Sequence, residues 1–232
     1  MSKISSVRVG RHQIGRFRFL FWALMMMIGL RPFLDEWIGA RIWADICRDI
    51  FFASALMSGL HAISGQPRQF RFTLLLAIAI ILLNSLHYTL QIKALDRLQL
   101  GLSVVFLIQM FVMIWTHIGK EKENEITFDL IMAAACAYIL LGLIWAYAYY
   151  FLESFHPNSF KASEKLGDDL WDFYYYSFVT LTSVGYGDIV AITKSARALS
   201  ILEAILGQLY LAIMISWLVG QHASQFGIGK GK

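Results

Sequence analysis

Thr180-Leu181-Thr182-Ser183-Val184-Gly185-Tyr186-Gly187-Asp188 sets two glycines around a tyrosine, behind an apolar approach. Glycine adopts backbone angles that other residues avoid, φ > 0 among them. Glycines at alternate positions let successive carbonyls point the same way, which an ordinary strand does not permit. The residues ahead of the loop, Leu170 to Thr182, read as a helix that Asp168 or Asp169 caps. That helix is too short to cross a bilayer and lies between two long apolar segments. Helix, loop and flanking spans in this order separate the stretch from a glycine turn on a soluble surface.

Working outward, the 232 residues are 58% hydrophobic and only 16% charged. A soluble domain carries about 25% charged residues, so the surplus apolar surface calls for lipid. The net charge of +4 is spread between apolar segments rather than gathered on a patch, which argues against nucleic acid as a partner. Cys47 and Cys136 have neither metal-ligand spacing nor a paired framework and read as free thiols. No constellation of an enzyme's residues and no phosphate loop is present.

A membrane span needs about 20 mostly apolar residues, and six stretches qualify. They run about Phe17 to Leu34, the weakest, with Arg31 and Pro32 near its outer end; Cys47 to Ser64; Phe72 to Ile92; Leu98 to Ile118; Ile126 to Phe151; and Ala198 to Gln221. The fold class expected is therefore an all-α membrane protein with six transmembrane helices and a re-entrant pore helix. Non-helical backbone at membrane depth is tolerated where protein buries it or it lines water. Arg68 and Arg71 between spans two and three, the basic start, and Lys230 and Lys232 put both termini in the cytoplasm, whereas the acidic stretch Glu153 to Asp172 reads as outside. The organisation expected is a basic arm (1–18), a four-helix peripheral bundle (19–119), a linker (120–126), a pore domain (127–223) and a short tail (224–232). The arm reads first as a topology signal and second as a surface for anionic lipid.

Ser183-Val184-Gly185-Tyr186-Gly187 resembles the selectivity filter of the tetrameric potassium channel family, with Ser for Thr at the first position. The resemblance covers roughly residues 127 to 223. It implies a filter over Thr182, Ser183, Val184, Gly185, Tyr186 and Gly187. The permeant K+ would be held by carbonyls of Ser183, Val184, Gly185 and Tyr186 and by the Ser183 hydroxyl. One loop per chain supplies a quarter of a ring, so a homotetramer is implied. In the family an aromatic collar supports the filter, and Tyr175 and Tyr176 occupy those places. A carboxylate found in some members is replaced by Val179, which leaves Asp188 without that partner. Gly207, 21 residues after Tyr186, stands where the inner helix often bends; close helix packing is the other use for it.

Gln208, Leu211, Ile215 and Val219 form one stripe of the last helix and are expected to line the cavity and gate, with Gln208 uppermost. Glu203 is the one acid in that span, and filter support is favoured over gating. The fourth span holds no basic residue, Lys93 and Arg97 stopping at its edge, so voltage sensing of the ordinary kind is excluded. The acidic and basic residues from Asp35 to Asp49 read as a solvated outer loop. About ten residues follow the last span, and no nucleotide- or calcium-binding domain is expected among them. His61, His117, His156 and His222 read as solvated before they read as pH sensors. The function expected is passive, potassium-selective conduction in a bacterial inner membrane. A non-selective cation channel is the alternative, and a potassium transporter subunit a more distant one.

Overall fold

The computed structural model describes residues 16–38, 67–90, 93–120, 127–163 and 170–225. The elements are α1 (Arg16–Ile38), α2 (Pro67–Leu90), α3 (Lys93–Lys120), α4 (Phe128–Phe155), β1 (Phe160–Ala162), α5 (Leu170–Leu181), β2 (Ile189–Ala191) and α6 (Lys194–Gln225). Among the described residues three stretches are long and apolar enough to cross a membrane: Arg97–Gly119, Phe128–Phe155 and Lys194–Gly220. The apolar parts of α1 and α2, Phe17–Leu30 and Arg71–Leu83, are shorter. The expected second span, 47–64, and the candidate caps Asp168 and Asp169 lie outside the described residues.

At the centre is α4. Thr127 caps it by accepting the Leu130 N–H, and Asp129 stands in its first turn, where the helix dipole favours an acid. Its 28 residues reach about 42 Å at 1.5 Å per residue. Ala133, Ala134, Ala137 and Ala146 are buried along it, and small residues let neighbouring backbones come close.

Among the other helices, α1 and α2 run in the direction of α4 and α3 runs against it. Arg97 at the start of α3 lies over the Phe155 ring at the end of α4, and Phe17 at the start of α1 meets His117 near the end of α3. α3 is therefore antiparallel to both. α2 is antiparallel to α3, because Thr73 near its start accepts from the Gln109 side-chain amide at 2.6 Å and donates to Met113. α1 starts beside α4, its Phe17 N–H donating to Asp129 at 3.2 Å.

α1 runs on through Pro32, which the sequence reading had placed near the end of this span. Proline has no N–H, so the carbonyl four residues back loses its helical donor. That carbonyl is Ile28, and the Trp171 indole from the first turn of α5 donates to it at 3.4 Å.

The all-α expectation needs one amendment. β1 and β2 pair antiparallel, Phe160 opposite Ala191 and Ala162 opposite Ile189. They close the chain on either side of α5 and its loop. Glu153 organises the approach: its carboxylate accepts from the N–H groups of Asn158 at 2.6 Å, Ser159 at 2.9 Å and Phe160 at 3.2 Å.

Candidate pore loop

α5 ends at Leu181, and Thr182 and Ser183 complete a turn. Positive φ then falls on alternate residues: Ser183 at 60°, Gly185 at 59° and Gly187 at 80°, with Val184 and Tyr186 between them outside that region. The two glycines adopt it without a Cβ penalty, while a non-glycine there costs about 1–2 kcal/mol. Ser183 is held against that cost. Its N–H donates to Thr180 at 3.0 Å, and its hydroxyl accepts from the Gln208 side-chain amide at 2.8 Å.

Both Val184 and Gly185 donate their N–H groups to the Val179 carbonyl, at 3.0 and 3.3 Å. Donors are thus turned back onto the helix. Within the described residues, no hydrogen bond engages the carbonyls of Ser183, Val184, Gly185 or Tyr186. The N–H groups of Ser183, Val184 and Gly185 are thus engaged within the chain, while a run of carbonyls is left over. The Thr182 hydroxyl differs, since it donates to the Phe178 carbonyl at 2.6 Å.

The two collar tyrosines divide the work. Tyr175 stacks on Tyr186 with ring centroids 6.4 Å apart and planes 7° from parallel. Its hydroxyl is near the Asp188 carboxylate, and that negative neighbour raises the phenol above its ordinary value. The Asp188 carboxylate thus faces the turn of α5 before Val179. Tyr176 was expected beside Tyr186 and points elsewhere. It is buried against Tyr149 and Phe160, and its hydroxyl lies 2.6 Å from that of Ser200. Successive helix residues project about 100° apart, so neighbours in sequence cannot both face one loop.

α6 carries the remaining expected residues. Gln208, Ile215 and Val219 are exposed in the single chain, whereas Leu211 is half-buried against the core. Gly207 is buried, and a Cβ there would stand 2.6 Å from the Leu181 carbonyl oxygen and 2.8 Å from Leu181 Cδ1. The same carbonyl accepts from the Tyr138 hydroxyl at 3.3 Å. Geometry thus gives Gly207 a packing use, and α6 passes it as continuous helix from Lys194 to Gln225. Gly142 serves α4 in the same way, its missing Cβ leaving room for the Phe178 ring at 2.7 Å.

Glu203 is fully buried. Its carboxyl meets the Tyr149 hydroxyl of α4 and the Ser177 hydroxyl of α5, each at 2.5 Å. Ser177 also lies 2.7 Å from the Gly142 carbonyl. Three elements meet at this one side chain. Tyr149, Ser177 and Gly142 were not singled out from the sequence, where they carry no local signal. Only the acid in an apolar span pointed to the place.

Three membrane-length apolar helices packed with a short helix and its loop suggest a membrane protein. Residues 132–221 match the family model described as Ion channel, over less than half of the chain. The match takes in most of α4, all of α5, the loop and most of α6. The match supports an ion-channel domain in this part of the chain, and it points to ion conduction rather than to an enzyme. Searches among curated proteins and among solved structures returned no match.

Proposed function

We propose that the protein is a potassium-selective channel built from four copies of this chain. The observation that carries the reading is the alternation of left-handed backbone at Ser183, Gly185 and Gly187 on a Gly-Tyr-Gly sequence. Four such loops around an axis would offer stacked rings of carbonyls from Ser183, Val184, Gly185 and Tyr186, with Ser183 hydroxyls innermost. One chain presents only a quarter of each ring, and closed symmetry supplies the rest. Exposed Ile201, Leu202, Ile205, Leu206, Leu209 and Ile213 on α6 are consistent with a helix that meets neighbouring chains and lipid.

Gln208, Ile215 and Val219 would line the path below the filter, with Leu211 at its edge. Gly207 is the place at which α6 would flex if it bends. Asp188, Tyr175 and Glu203 would hold the filter from behind. α3, the expected fourth span, has no basic residue from Leu98 to Ile118, which supports gating by something other than an ordinary voltage sensor. The cell location proposed is a bacterial inner membrane with both termini cytoplasmic, in contact with lipids that include anionic ones.

The test is the reversal potential of purified protein in planar bilayers, with potassium on one side and sodium on the other. A value near the potassium equilibrium potential is expected. A value near zero with clear conductance would replace this reading with a non-selective cation channel.

A further inference from the structure

Oxygen-to-oxygen contacts at hydrogen-bond distance each need a hydrogen, and the hydrogens behind the filter can be counted. Three contacts run in series. Tyr149 Oη meets Glu203 Oε2, Glu203 Oε1 meets Ser177 Oγ, and Ser177 Oγ meets the Gly142 carbonyl oxygen. Tyr149 brings one hydrogen and Ser177 one, while a backbone carbonyl brings none. Three contacts therefore require a third hydrogen, and the only atom in the series left to carry it is Glu203 Oε1.

A neighbouring set shows the same rule satisfied differently. Ser200 Oγ lies 2.9 Å from the Ala196 carbonyl and 2.6 Å from Tyr176 Oη. There the serine gives its hydrogen to the carbonyl, and the tyrosine has a hydrogen of its own to give for the second contact. Ser177 stands in the same relation to Gly142 but has a carboxyl where Ser200 has a phenol. If that carboxyl were ionised, two acceptors would compete for one serine hydrogen.

We propose that Glu203 is a neutral carboxylic acid, and that its proton closes a directed chain from Tyr149 through Glu203 and Ser177 to the Gly142 carbonyl, making Glu203 a positioning residue for the pore helix. Each link then has one donor and one acceptor. The surroundings agree. The carboxyl is fully buried within an apolar helix, where an ionised carboxylate without a cation is costly. Both its hydrogen-bond partners are hydroxyls. The titratable side chains around it are Tyr149 and Tyr138 on α4 and Tyr176 on α5. Arg197, lower in number on α6, is turned to the Ala191 carbonyl at 3.1 Å. The hydrogen count is independent of what the pore conducts, and only the positioning role rests on the potassium reading.

Infrared difference spectroscopy of the full chain reconstituted in lipid at neutral pH tests the proton directly. The expected result is a carboxylic-acid carbonyl band that Glu203→Gln abolishes and Tyr149→Phe shifts to higher frequency, because the carbonyl loses its donor. The proposal is overturned if both variants leave the acid region unchanged and Glu203→Gln removes carboxylate absorption instead. Should Glu203→Gln fail to assemble, the shift in Tyr149→Phe decides alone. A second readout is thermal melting. Glutamine can donate to Ser177 and accept from Tyr149 as the acid does, so its midpoint should stay near that of the unaltered protein while Glu203→Ala falls. A glutamine variant that melts as low as the alanine variant would count against the neutral acid. The predicted band in a protein whose current is not potassium-selective would uphold the proton and sink the potassium reading.

Discussion

Replacing Gly207 by alanine separates two uses of one residue. The added Cβ would lie 2.6 Å from the Leu181 carbonyl oxygen, and ordinary contact begins at about 3.4 Å, so α6 and the end of α5 must part by about 0.8 Å. The obstacle is backbone, which no side-chain rotation removes. Overpacking of this kind costs about 1–3 kcal/mol. Alanine returns about 1 kcal/mol in helix propensity, leaving a net loss of up to about 2 kcal/mol per chain. The displaced carbonyl stands two residues before Ser183 and also accepts from Tyr138, so the loop moves with it. The assay is thermal melting of detergent-purified protein, followed by reversal potentials in bilayers. A lower melting temperature together with a reversal potential displaced toward zero is expected. A melting temperature equal to or above that of the unaltered protein, with only the opening kinetics changed, would refute the packing argument and leave Gly207 as a flex point.

Three other substitutions follow from the same geometry. Gly185→Ala places a Cβ at φ +59°, costing about 1–2 kcal/mol in each chain; sodium permeability measured by reversal potential should rise. Tyr175→Phe removes the hydroxyl nearest the Asp188 carboxylate while keeping the ring on Tyr186; conduction under sustained recording should decay faster with no change in selectivity at onset. Gln208→Leu frees the Ser183 hydroxyl from its 2.8 Å partner. With one neutral hydrogen bond worth about 1 kcal/mol, barium block from the cytoplasmic side should weaken about fivefold, and unchanged block would show that Gln208 does not set the innermost ligand.

The loop and the short helix ahead of it were legible because their signals are local. Gly185-Tyr186-Gly187 states its backbone angles in its composition, and α5 follows from its length between two apolar spans. The long helices were legible from hydropathy, with ends that moved by a few residues: α6 begins at Lys194 rather than Ala198, because polar residues continue a helix into the interface without an apolar signature. Contacts between distant residues were not legible. Glu203 could be marked as an acid in an apolar span, but Tyr149 lies 54 residues away from it and Ser177 26. No periodicity relates positions on three different helices. β1 and β2 were missed for a related reason, since three residues each are too few to show alternation and the pairing depends on Glu153 turning the chain. Tyr176 was misplaced because a collar inferred from two adjacent tyrosines ignores the rotation of the helix between them.

Pro32 gives α1 a consequence beyond its own shape. A helix that satisfies all its own carbonyls can turn or slide beside a neighbour with little resistance. α1 cannot, because the carbonyl it leaves over at Ile28 is completed by a side chain belonging to the pore helix. Moving the two apart strands a polar group in an apolar setting, so the first helix of the chain and the scaffold of the ion path share a joint made by a missing hydrogen atom.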